Sequence, residues 1–140
     1  MIRIAPISIP DTRPLRHAVL RPYQSVEAII EHELPDAFAV GGIDDEQRLI
    51  AVGFVSPDGG PGAWRVRGMA TAPESRGRGA GGAVLAALVE HARANGAGRV
   101  WCNARIAART LYERAGFEVA SEEFEIPEIG PHYVMELTLS

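Results

Sequence analysis

Apolar and polar positions alternate over residues 2–7, IRIAPI, with the two-residue period of a strand that buries one face. Pro10 and Pro14 then bracket the start of a helix expected over about 12–20, and a second helical stretch is expected near 25–33. AFAVGGI (37–43) and RLIAVGFV (48–55) are strand-like, and the polar DDEQ between them predicts a hairpin. SPDGGPG (56–62) is a loop of turn residues, and WRVRGMAT (64–71) alternates as a strand again. From about 80 to 95 the period changes. Val84, Leu85, Leu88 and Ala92 fall on one helical face, Glu90 and Arg93 fall off it, and Gly96 is placed to end the helix. RVWCN (99–103) predicts a strand, and 107–115 a helix stopped by Gly116. FEVASEEFEI (117–126) and YVMELTL (133–139) predict two last strands. The order predicts a single α/β domain over residues 1–140.

Composition narrows the class. A net charge of −4 argues against a nucleic-acid partner, although all 14 basic side chains are arginine and a local basic patch is compatible with that total. The longest uncharged apolar stretch, residues 79–89, is far short of the roughly 18 residues needed to cross a bilayer, so no membrane partner is expected. The N-terminus lacks the apolar core of a signal peptide, and the single cysteine, Cys102, suits a reducing compartment, so a cytoplasmic location is expected. No histidine or cysteine spacing suggests a metal site.

The most informative stretch is ESRGRGAGGAVL (74–85), with four glycines and two arginines ahead of the apolar helix. Glycine lets backbone N–H groups converge without an intervening Cβ, and the helix start adds unpaired N–H groups and a positive dipole end. Arg76 and Arg78 add full charges, and together these features describe an anion site suited to phosphate. A P-loop requires lysine, which the chain lacks. The dinucleotide pattern G-x-G-x-x-G is literally present at Gly77, Gly79 and Gly82, but no acidic residue lies between Glu90 and Glu113 to hold a ribose. The third reading is acyl-coenzyme A, whose Arg-x-x-Gly-x-Gly/Ala marker is matched by Arg76, Gly79 and Gly81.

MATAPESRGRGAGGAVLAALVEHAR (69–93) resembles the coenzyme A motif of the GNAT superfamily of N-acetyltransferases, and LYERAGFEV (111–119) resembles its helix-to-strand motif. IGPHYVM (129–135) is similar to small bacterial members with Pro-His there. The resemblance implies a mixed, mostly antiparallel sheet flanked by helices, splayed into a V between strands 64–71 and 99–103. Gly68, inside the first of these, independently suggests a bulge or close backbone approach.

The resemblance further implies that acetyl-coenzyme A is the cosubstrate. Its pyrophosphate would lie on Arg76, Gly77, Arg78, Gly79, Ala80, Gly81 and Gly82, and its pantetheine arm along Met69, Ala70 and Thr71. The Met69 N–H would face the thioester oxyanion, and Tyr112 would protonate the departing thiolate. Many members carry asparagine where this chain has Arg105; Asn103 is the nearest substitute for that cofactor contact. His132, set in a Gly-Pro-His turn between strands, is a candidate base or positioner on the amine side, because imidazole titrates near neutrality. Glu27, Glu31, Glu33 and Glu125 are rivals through an ordered water, whereas His17, His32 and His91 are assigned to solvated or structural positions. Arg67 and Arg105 are candidates for an acidic group on the acceptor, with surface ion pairs as the alternative. The expected activity is acetyl transfer to a primary amine of a small molecule or peptide, by direct attack in a ternary complex. A non-catalytic acyl-coenzyme A sensor is the alternative, and a homodimer is a family-level expectation.

Overall fold

A computed structural model describes residues 1–34 and 36–139. Its centre is a sheet in the order β1 (Arg3–Ile7), β2 (Phe38–Ile43), β3 (Leu49–Pro57), β4 (Ala63–Thr71), β5 (Arg99–Arg105), β8 (Gly130–Thr138) and β6 (Glu118–Val119), with β7 (Phe124–Ile126) also pairing β8. Every described pairing is antiparallel except β4 with β5. The DDEQ hairpin forms as expected. Asp44 accepts from the N–H groups of Glu46 and Arg48, and Gln47 takes the positive φ of the turn.

One face of the sheet is covered by α3 (Ala80–Ala94) and α4 (Arg109–Arg114). Val84, Leu85, Leu88 and Ala92 are all fully buried, as their spacing predicts. Each of the three larger ones contributes roughly 1.5–3 kcal/mol by leaving water. Gly96 and Gly116 end the two helices with positive φ, a conformation a side chain disfavours. The other face carries α1 (Arg13–Leu15), flanked by a 3₁₀ turn at Pro10–Thr12 and a π turn at Arg16–Leu20, followed by α2 (Val26–Ile30), which the Ser25 hydroxyl caps.

Two expectations change. The expected strand 117–126 is broken in two, because the polar residues Ser121, Glu122 and Glu123 bend away between β6 and β7. There Ser121 Oγ accepts the Val134 N–H in place of a backbone carbonyl. The last strand begins at Gly130, so His132 sits inside β8, opposite Arg105 of β5, and not in a turn. Pro131 is tolerated because β8 pairs there with only a three-residue strand at the sheet's margin.

Candidate active site

Strands β4 and β5 pair only at Ala63/Arg99, Trp64/Val100 and Arg65/Trp101. Beyond that point the ladder stops, and β4 from Val66 to Thr71 keeps a free backbone edge on this side. The cause is local. Between Phe54/Arg67 and Val52/Ala70 the β3–β4 register shifts, leaving Gly68 and Met69 opposite Gly53. Gly68 adopts φ +67°, and a Cβ there would meet the Phe54 ring at 2.6 Å. A glycine at this position therefore makes the bulge that turns β4 away from β5. The Met69 side chain packs over Gly53.

A cleft of about 1170 Å³ runs through this gap. At one end lies the turn after β4. Gly77 and Gly79 have φ +80° and +83°, and Gly79 leads directly into α3. A Cβ at Gly77, Gly79 or Gly82 would meet nothing within 4 Å, so these backbones border open space. Met69, Ala70, Thr71, Arg76, Gly77, Gly79, Ala80, Gly81 and Gly82 all line the cleft. Arg78 does not, and its side chain is exposed.

Alternation along β5 sorts the remaining candidates. Val100, Cys102 and Ala104 face α3 and α4, whereas Trp101, Asn103 and Arg105 face the opposite side, where the register adds His132. Tyr112, on α4, is only 5% exposed, lines the cleft and neighbours Cys102. Burial first, and then Cys102, holds its phenol well above the usual range. Burial pushes the Cys102 thiol up to about 12, with Tyr112 pulling the other way. Both groups therefore keep their protons near neutral pH. An inert, buried Cys102 agrees with its reading as a small core residue.

His132 is 3% exposed and lines the cleft. Its Nδ1 lies 2.8 Å from the Gly130 carbonyl. A carbonyl only accepts, so Nδ1 carries the proton and Nε2 holds the lone pair in the neutral ring. Arg67 donates to Asp58 at 2.7 Å, and Arg105 donates to the Leu20 carbonyl at 2.6 Å. Both still line the cleft, as does Asn103.

Of the glutamate rivals to His132, none lines the cleft, and Glu33 is tied to Arg13 and Arg16. His91 stacks on Phe38 at 3.7 Å, and His17 Nε2 donates to the Gln24 carbonyl, both structural roles as expected. His32 is exposed, as expected of a solvated position, and it also stands at the cleft beside Arg21. Only the helix-to-sheet packing brings it there, and no motif marks it. Among the described residues no group of three or more His, Cys, Asp or Glu could hold a metal, and no helix is long and apolar enough to cross a membrane.

The acetyltransferase (GNAT) family model matches residues 7–117, and the chain belongs to this family of acetyl-coenzyme A-dependent acyltransferases. Membership favours the enzyme over the non-catalytic sensor. The chain is 36% identical to the uncharacterized N-acetyltransferase YitI of Bacillus subtilis (strain 168), across 99% of this chain and 97% of the relative. Among solved structures, the ribosomal-protein-S18-alanine N-acetyltransferase of Escherichia coli aligns with a TM-score of 0.78 at 18% identity, covering 100% of this chain and 95% of that one. A Bacillus subtilis acetyltransferase in complex with CoA aligns at 0.75 and 16% identity, with both chains fully covered. At such identities these two matches speak for the fold.

Proposed function

We propose that the chain transfers the acetyl group of acetyl-coenzyme A to a primary amine by direct attack in a ternary complex. The observation that carries this reading is the free edge of β4. It runs from the glycine turn to the gap where Tyr112 and His132 line a single cleft. The diphosphate lies on the N–H groups of residues 76–82 at the start of α3. The pantetheine arm pairs with the open backbone near Met69 and Thr71, and the Met69 N–H meets the thioester oxygen as it gains charge. Asn103 borders the arm from β5.

The neutral amine nitrogen forms a bond to the carbonyl carbon, and the C–S bond breaks with its electron pair leaving on sulfur. Nitrogen then loses one proton and sulfur gains one. Tyr112 supplies the sulfur's proton, His132 Nε2 takes the proton that nitrogen releases, and both groups are reset by exchange with solvent once the products leave. A protonated tyrosine is the right partner in a dry site. Burial that raises the Cys102 thiol to about 12 also illustrates how basic a thiolate becomes when water is withdrawn.

The test is release of free thiol from acetyl-coenzyme A across a broad amine panel, beside a Gly82→Val variant. Gly82 lies within the first turn of α3, and a side chain there meets no protein atom within 4 Å. Valine at that site should keep or slightly raise the melting temperature, since glycine is the poorer helix former. It should also weaken acetyl-coenzyme A binding by about tenfold or more, by occupying the space of the diphosphate. Unchanged calorimetric affinity in the folded variant would remove the cofactor from this loop.

A further inference from the structure

The far-face end of the cleft holds more positive charge than the fold itself uses. Arg16, Arg21, Arg65, Arg67 and Arg105 line it. Among the described residues the one carboxylate lining the cleft is Glu90, on α3 and therefore on the other side of the sheet. Glu33 answers Arg16 at 2.6 Å, and Asp58 is shared between Arg67 at 2.7 Å and Arg65 at 3.6 Å. Among the described residues the Arg21 guanidinium hydrogen-bonds only His32, and that of Arg105 only the Leu20 carbonyl. The Nε–H groups of Arg65 and Arg67 are closed off from water with no acceptor among the described residues. Donors left in that condition cost stability, and fixed charges of one sign repel each other.

The surplus is felt locally. Burial first, then Arg21, Arg16 and Arg67, hold the His32 imidazole below its usual value against the pull of Glu31. Arg65 and Arg105 are themselves lowered, mainly by burial, yet guanidinium remains charged at any physiological pH. These side chains are not placed for the cofactor's diphosphate, because Arg65, Arg67 and Arg105 project from the face opposite α3 and the glycine turn.

We propose that the acceptor amine carries an anionic oxygen group, a carboxylate or a phosphate, on the same molecule, and that Arg67 and Arg105 hold this group while the amine enters the gap between β4 and β5. The inference rests on the acetyl-transfer reading. Guanidinium matches such groups two N–H bonds at a time, and each of these two arginines has only one of its five N–H donors engaged among the described residues. The arrangement also serves the chemistry, since a positive surround disfavours the ammonium form and helps the amine arrive as a nucleophile. A polycationic amine would meet an arginine cluster that Glu33 and Asp58 offset only in part, which selects against it.

The experiment offers the purified chain matched amines with acetyl-coenzyme A while free thiol is followed. α-Amino acids, ω-amino acids and aminoalkylphosphonates are each set beside an uncharged counterpart, and polyamines are included. The expected result is a kcat/KM about tenfold or more higher for the anionic member of a pair, with the carboxylate and phosphonate arms identifying the group. Arg67→Gln and Arg105→Gln should each raise the acceptor KM and lower the preference for the anion, with acetyl-coenzyme A affinity unchanged. A merely misshapen site would lose both members of a pair alike and keep the preference. Turnover of neutral or cationic amines with no preference for the anions overturns the inference and leaves acetyl transfer standing. If no amine is turned over although acetyl-coenzyme A binds, the transfer reading fails first. Melting temperature with coenzyme A plus each anionic amine then decides the present point, and no stabilisation by any of them overturns it.

Discussion

Tyr112 and Cys102 illustrate how one buried environment acts on two residues. Both are held protonated by loss of water, but only the tyrosine borders the cleft. Phenylalanine keeps the ring that meets Phe117 edge-on at 5.5 Å and removes only the hydroxyl. Tyr112→Phe should therefore preserve stability and acetyl-coenzyme A affinity while lowering kcat by about 100-fold, toward the lower end of general-acid effects, because water can partly protonate a thiolate. The check is steady-state kinetics with chemistry rate-limiting, beside a binding titration. A kcat within about twofold of the parent would make Tyr112 a packing residue.

At the scale of elements, the bulge in β4 decides whether a site exists. Gly68 supplies it through a backbone angle that other residues resist, in a space already filled by Phe54 and by Arg16 Cδ at 3.2 Å. Gly68→Ala combines the left-handed strain with overpacking, and a loss of about 3 kcal/mol in unfolding free energy is expected. Urea unfolding measures it. A cost below about 0.5 kcal/mol would mean that β4 can take the extra methyl without moving, contrary to the contacts described. The helical segment over the far face has its own device. Its π turn ends at Leu20, whose carbonyl has no helical partner, and Arg105 from the end of β5 supplies the donor.

Across the whole molecule, the far-face helices are held by a few charged contacts where the opposite face has a large apolar core. Arg13 grips Glu33 through two N–H groups at 2.8 and 3.0 Å, and the buried Arg16 adds a third bond and a cation–π contact with Phe54. The Arg13 hydrogen bond, aided by Arg16 and opposed by burial, holds the Glu33 carboxyl below its ordinary value of 4.5. A depressed carboxylate contributes stability that is fully present above the unfolded value and is lost as pH falls through the folded one. Glu33→Gln should cost about 2–3 kcal/mol near neutral pH, chiefly by leaving Arg16 without its carboxylate. The gap between parent and variant should close below about pH 4.5. Urea titrations near pH 7 and near pH 3 test this, and a gap of equal size at both would exclude the linkage.

The sequence by itself determined what is written in short range. The stripe Val84, Leu85, Leu88 and Ala92 specifies α3, because helical period and burial go together. The glycine turn, Gly68 and LYERAGF were legible because each depends on a backbone angle or a local spacing. Tertiary structure alone decided the rest. His132 belongs to a strand because β8 pairs with β5 from Arg105 onward, which its Gly-Pro surroundings conceal. Arg105 finds Leu20 across 85 residues, and His32 reaches the cleft through helix packing. Register between distant strands, and the side of the sheet on which a helix lands, are set by the global burial of apolar surface, and a local pattern of residue types carries no record of that choice.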